Sequence, residues 1–246
     1  MTSDSIIMVF AFVFGLIVGS FLNVCIYRIP LKKSILSPPS SCPACNERIK
    51  FYDNIPLISF IILRGRCRNC GQPIAVRYPL IELITGLLSL AVFMNYPLYG
   101  QYFAFFIFVS ALIIITFIDL DHQIIPDIIS IPGIIAGILT TIILESIIPN
   151  YQISNDPIHW NDSFLGILLG GGILFLVAYG YHKITGKEGM GFGDVKLLAM
   201  IGAWMGWRAI PFIILISSLT GSIIGSIALL VSGKGLRTRI PFGPFL

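Results

Sequence analysis

The chain has 246 residues, 56% hydrophobic and only 11% charged, with a mean hydropathy of +0.90, whereas water-soluble domains carry roughly 25% charged residues. So large an apolar excess cannot be hidden in one core of this size and must mostly face lipid. The same figures exclude a disordered chain and a disulfide-stapled secreted module, and they make the placement of a net charge of +4 more informative than its size.

A membrane span needs about 20 mostly apolar residues. Apolar runs fall at about 5–27, 78–94, 102–118, 128–148, 163–181 and 209–231, with a shorter one at 195–207. The first is too long for a removed signal peptide and lacks a cleavage site. The reading is an all-α polytopic membrane protein, a bundle of about seven transmembrane helices with a small polar loop domain between the first two. An apolar run opens again at Arg239-Ile-Pro-Phe-Gly-Pro-Phe-Leu246. It reads either as the stump of an eighth helix, missing at the C-terminus, or as a short tail packed at the interface. Five G-x-x-x-G pairs (Gly15/Gly19, Gly133/Gly137, Gly166/Gly170, Gly202/Gly206, Gly221/Gly225) lie in the runs and predict close helix approach.

Orientation follows from the cations, which gather on cytoplasmic loops. Segment 28–78 holds nine of the sixteen, the 183–196 connection holds Lys183, Lys187 and Lys196, and the tail holds Lys234, Arg237 and Arg239. Threading seven spans from an external N-terminus puts all of these on the cytoplasmic side and only Arg208 outside. Asp4, Asp156 and Asp162 then fall on the external connections.

Four of five cysteines lie in the basic loop, as Cys42-Pro-Ala-Cys45 and Cys67-Arg-Asn-Cys70, with 21 residues between the pairs. Two C-x-x-C knuckles at this spacing are the signature of a tetrahedral thiolate site. Cytoplasmic thiols stay reduced, which favours a metal over disulfides. Zinc is the default ion and iron the minor alternative; four protein ligands make the site closed and structural. Cys25, alone in the first run, reads as an ordinary buried cysteine. The loop's net charge of +7 fits anionic lipid head groups. It carries no recognition helix or base-stacking pattern, so nucleic acid is not expected.

The sharpest signal is carboxylate. Ile118-Asp119-Leu-Asp121-His122 through Pro126-Asp127 follows the third run, and Gly189-Met-Gly191-Phe-Gly193-Asp194 opens the short one. Both fall on the same membrane side, so a bundle can join them across 75 residues. Two carboxylates around one water make an acid–base pair. They share a proton, because like charges that close cannot both ionise. Helix dipoles favour charge on Asp194, before a helix, and disfavour it on Asp119, which ends one. Asp194 is therefore expected to be the more readily ionised member and Asp119 the more readily protonated one. Gly191 and Gly193 would permit positive φ and close approach of a substrate backbone.

Blander readings stand beside these. Asp194 could simply N-cap its helix, and Asp127 is well placed to cap the next one. Asp121 and His122 read as loop residues. Glu82 and Glu145 sit near span ends, where snorkelling suffices, although a carboxylate inside a membrane carries functional weight of its own.

Gly19-Ser-Phe-Leu-Asn23-Val, Arg28-Ile-Pro30, the paired knuckles, Asp53-Asn-Ile-Pro56, Gly65-Arg-Cys67, Asp119 through Asp127, Gly191-Phe-Gly193-Asp194 and Ile240-Pro-Phe-Gly243 resemble the type IV prepilin peptidases. The likeness runs from the first span to the last residues. It implies a bifunctional bacterial inner-membrane enzyme with a periplasmic N-terminus. Such an enzyme removes the leader of type IV prepilins or type II secretion pseudopilins after a glycine, at the cytoplasmic face. It then N-methylates the new terminus with S-adenosylmethionine. The resemblance makes Asp119 and Asp194 catalytic, with Gly191 and Gly193 in support. It makes Cys42, Cys45, Cys67 and Cys70 a zinc site linked to the methyltransferase activity, and it assigns no residues to the methyl donor. The chain then divides into the first helix (1–27), the zinc loop (28–78) and the peptidase core (79–246). The partners are the leader with its following apolar helix, and membrane lipids.

Two other classes compete. A cation or metal transporter with a cysteine metal-sensing loop would place charges mid-span and show internal repeats, and neither is present. A non-catalytic assembly scaffold leaves the paired aspartates unexplained.

Overall fold

The structure, a computed structural model, describes residues 3–96, 99–147, 152–153, 156–157, 159–186, 191–232 and 241–246. Lys187, the Gly189-Met190 step, Ile240 and the tail cations Lys234, Arg237 and Arg239 lie outside these residues, as do the side chains of Asp4 and Asp156.

The described chain is helical: α1 Ser3–Arg28, α2 Ile58–Ile62, α3 Arg77–Asn95, α4 Tyr99–His122, α5 Asp127–Ile147, α6 Trp160–Thr185, α7 Phe192–Met205 and α8 Ala209–Ser232. One two-residue antiparallel pair, Gln152–Ile153 with Asp156–Pro157, interrupts it. Six helices are long and apolar enough to cross a membrane. They correspond to the six long apolar runs, and large side chains such as Phe10, Leu176 and Phe212 are exposed on them. In a bilayer these face acyl chains, so the chain is a multi-pass membrane protein. Helix α7, at 14 residues, reaches only about 21 Å, short of the roughly 30 Å hydrocarbon layer.

The chain forms two compact units, 1–114 and 115–246, divided within α4. In the first, α1 packs on α3. A Cβ at Gly15 would run into Ser89, and one at Gly19 would sit 2.8 Å from the Glu82 backbone, so small residues bring the helices close. Asn23 Nδ2 donates to the carbonyls of Gly19 and Tyr78, both at 3.2 Å. Ser89 Oγ donates to the Ala11 carbonyl at 2.7 Å. Glu82 does not snorkel as expected. It is buried and accepts the Leu57 N–H at 2.9 Å, tying the start of α2 to α3.

In the second unit α7 packs against both α5 and α6. All eight residues of 197–204 are buried, which is how a helix apolar on every side behaves in a core. Gly133 and Gly137 of α5 receive Met200, Ala203 and Trp204, while Gly166 of α6 meets Gly202 backbone to backbone. Trp204 Nε1 donates to the Gly133 carbonyl at 2.8 Å. Gly206 lies near Gly166 too, but it also has a backbone role. It ends α7 at φ +74° with its N–H on the Gly202 carbonyl, a conformation that suits glycine. Glu145 is held by His159 Nδ1 at 2.8 Å and the Trp160 N–H at 3.1 Å.

Candidate active site and metal centre

Helix α4 runs four residues past the predicted end of its apolar run, so Asp119 and Asp121 lie in its last turns rather than after it. Asp119 is buried and Asp121 exposed. The chain turns at Gln123, φ +53°, and α5 begins at Asp127. Two contacts bring this turn against the start of α7. A Cβ on Gly193 would lie 2.9 Å from Ile125 Cβ, and Lys196 Nζ donates to Asp127 Oδ1 at 2.7 Å. Asp127, expected to act as a cap, is thus held as one half of an ion pair. The two carboxylate motifs meet although 75 residues separate them.

Gly191, not Asp194, occupies the N-cap of α7, with extended dihedrals of φ −73° and ψ 142°. Asp194 stands in the first turn, three residues on, and its backbone N–H bonds the Gly191 carbonyl at 3.2 Å. Neither Gly191 nor Gly193 adopts positive φ. What Gly193 supplies is the absence of a side chain where Ile125 presses in. Asp194 lies ahead of the apolar run of α7 and outside the six spans. Burial, joined by the charge of Asp119, pushes its carboxyl up to about 6, against the Gly191 N–H, which pulls the other way. Desolvation and a like charge both penalise the ionised form. They outweigh the roughly 0.3–1 kcal/mol from a helix N-terminus. Asp119 Oδ2 accepts the Gly243 N–H at 3.0 Å in a buried setting, and a backbone donor favours a carboxylate. Asp194 is therefore held toward its protonated form more than a place at a helix N-terminus alone implies.

The cysteine loop is built from one motif used twice, 25 residues apart. Cys42 N–H bonds the Glu47 carbonyl and Cys67 N–H that of Gln72; Asn46 N–H returns to Cys42 and Gly71 N–H to Cys67. Ile49 N–H reaches Ser40 as Ile74 N–H reaches Gly65, with antiparallel bridges Ser41 to Arg48 and Arg66 to Pro73. Each turn needs a residue at positive φ, Asn46 at +56° and Gly71 at +70°. The four Sγ atoms lie within 4.8 Å of one another, and Cys42 Sγ is 3.8 Å from Cys70 Sγ. A tetrahedron of Zn–S bonds of 2.3 Å puts its sulfurs about 3.8 Å apart. The N–H groups of Cys45 and then Ala44 lower the Cys42 thiol to about 6, toward the thiolate that binds metal. The donor set therefore suits a closed structural zinc ion. No metal-sized group of His, Cys, Asp or Glu other than this one occurs among the described residues. Cys25 is buried in α1, away from the cluster.

Some of the loop's cations serve its own fold. Arg28 Nη1 and Nη2 donate to the carbonyls of Ser34 at 2.9 Å and Pro38 at 2.6 Å. Arg68 grips Asp53 with bonds of 2.6–3.0 Å, holding that carboxyl below its usual range. Sequence reasoning missed these roles, as it missed Gly243 at Asp119.

The Bacterial Peptidase A24 N-terminal domain matches residues 13–96, and the Type IV leader peptidase family matches residues 106–226. A protein of Aeromonas hydrophila named prepilin leader peptidase/N-methyltransferase is 38% identical over 260 residues, covering 96% of this chain and 86% of its own length. Proteins of the same name from Myxococcus xanthus and Pseudomonas aeruginosa are 42% and 36% identical; they cover 94% of this chain each, and 66% and 84% of their own lengths. No solved structure gives a match.

Proposed function

The chain belongs to the type IV leader peptidase family, and from that premise we propose that it removes the leader of prepilins or type II secretion pseudopilins and N-methylates the new N-terminus, with Asp119 and Asp194 as its catalytic pair. The observation that carries this reading is the meeting of the two aspartates, half-buried or buried, with the charge of one acting on the other. Ionised Asp119 takes a proton from a water whose oxygen attacks the scissile carbonyl. Protonated Asp194 gives its proton to the carbonyl oxygen. Collapse of the tetrahedral adduct then returns that proton to Asp194's oxygen while the Asp119 carboxyl protonates the departing amine. Both aspartates end as they began.

Gly191 and Gly193 support the pair by shaping the first turn of α7. A pilin precursor is a short polar leader ahead of about 20 apolar residues, itself a membrane helix. Its cleavage point sits at the membrane interface, the depth at which α4 ends and α7 begins. If the short α7 crosses within its protein sheath as a seventh span, fifteen of the sixteen cations fall on one side; that side is then cytoplasmic, the N-terminus periplasmic and the bilayer the bacterial inner membrane. Residues 28–78 form the zinc-held loop, whose exposed cations meet anionic lipid, and 79–246 the peptidase core. S-adenosylmethionine supplies the methyl group. The transporter reading lacks support, since the aspartates stand at helix ends and the family is a peptidase family.

The test is mass spectrometry of a prepilin incubated with the purified protein in detergent and S-adenosylmethionine. The expected product is a leader-free chain carrying one added methyl at its N-terminus. An intact substrate after prolonged incubation with folded, zinc-replete protein contradicts the proposal.

A further inference from the structure

Residues 241–246 form a docked segment whose place the activity alone does not explain. The rings of Phe242 and Phe245 lie against Gly221 of α8, 3.5–3.7 Å from where its Cβ would stand. Leu246 packs on the buried cluster of Leu174, Leu198 and Ile210. Within the segment Phe245 N–H bonds the Phe242 carbonyl at 3.0 Å, and Leu246 N–H bonds that of Gly243 at 3.2 Å. Pro244 has no N–H. The Gly243 N–H is thus left out of the local turn, and it points to Asp119 Oδ2 at 3.0 Å. Gly243 is itself buried, and a Cβ built on it would stand 2.7 Å from that same oxygen. Any other residue there would drive the carboxylate aside or lift the segment.

We propose that Gly243 is a positioning residue for peptide cleavage: its backbone N–H fixes Asp119 Oδ2, leaving the other carboxylate oxygen to take the proton from water, and its missing side chain leaves room for that carboxylate. This rests on the reading of Asp119 and Asp194 as the catalytic pair. The anchor is remote in sequence, 124 residues from Asp119, and is held by apolar packing that does not involve the aspartates. A buried, oriented hydrogen bond to a charged group stabilises it well beyond a neutral pair. Misplacing a catalytic group by an ångström costs up to about 100-fold in rate.

The experiment compares full-length wild type, Gly243→Pro, which removes the donor, and Gly243→Ala, which keeps the donor but crowds Asp119, with a prepilin substrate in detergent. Positioning predicts a fall in kcat of about 10- to 100-fold, with KM within about twofold and zinc content unchanged. A merely structural bond would leave kcat alone in the protein that folds. Wild-type kcat in Gly243→Pro overturns the proposal. If Gly243→Pro does not accumulate, wild-type kcat in Gly243→Ala overturns it, and lowered kcat with unchanged KM supports it. Asp119→Asn, measured alongside, separates the two levels. Retained cleavage in Asp119→Asn sinks the catalytic pair itself; inactive Asp119→Asn beside a fully active Gly243→Pro sinks the positioning role alone.

Discussion

Asp194 is where opposing residue-scale forces are most clearly weighed. Its place in the first turn of α7 and the Gly191 N–H favour charge, while burial and Asp119 oppose it and raise the carboxyl to about 6. If Asp194 must be protonated to donate, its active form is present below about pH 6 and is lost as pH rises through that value. Cleavage measured against pH should therefore fall about tenfold per unit on the alkaline side, with the limb starting near 6. A flat rate from pH 6 to 9 would remove Asp194 from the acid role. Gly193 offers a second check. Its missing side chain admits Ile125, so Gly193→Ala should shift the first turn of α7 and lower kcat about tenfold or more. Sequence motifs named both aspartates, while helix dipoles alone left out the burial that raises Asp194. Helix dipoles are readable from local order, whereas the burial of Asp194 and the Gly243 bond to Asp119 arise from distant segments.

At the scale of elements, α7 shows why hydropathy runs find most helices and mislead about some. Long runs such as 209–227 face lipid and announce themselves by length. Helix α7 is short because it is wrapped by protein, and its run of eight buried residues reads the same as a lipid-facing one. Likewise the glycine pairs differ in use, for Gly166 touches Gly202 while Gly206 ends a helix. This yields a paired prediction on α6. Gly166→Ala, which meets the Gly202 backbone, should lower the melting temperature in detergent by several degrees. Gly172→Ala, with open space beside it, should hold or raise it, because alanine stabilises a helix by about 1 kcal/mol over glycine. Equal melting temperatures for the two variants would show that α6 and α7 do not touch there.

For the whole molecule, scarce charge marks the parts that are not simply membrane filling. Two of twelve acids form the proposed catalytic pair, and nine of sixteen cations belong to a loop held by four thiols. The C-x-x-C spacing made that cluster legible in advance, because each knuckle is a local turn that sets its own geometry. The inward uses of Arg28 and Arg68 were not legible, since a cation count is blind to partners. Cys42→Ser or Cys70→Ser should release about one zinc per chain and expose segment 28–78 to limited proteolysis. Methylation should be lost with it, while cleavage by the aspartate pair persists. A wild-type protein without bound zinc would refute the metal centre.

The central claim is that Asp119 and Asp194 act as one unit. Its most direct test is the cleavage rate of a prepilin by wild type, Asp119→Asn, Asp194→Asn and the double variant, each purified in detergent with its zinc intact. Residues that work as a unit are not additive. Each single variant should lose at least about 1,000-fold in kcat, and the double variant should be no slower than either. Cleavage at near the wild-type rate in either single variant, or losses that multiply in the double, would contradict the account.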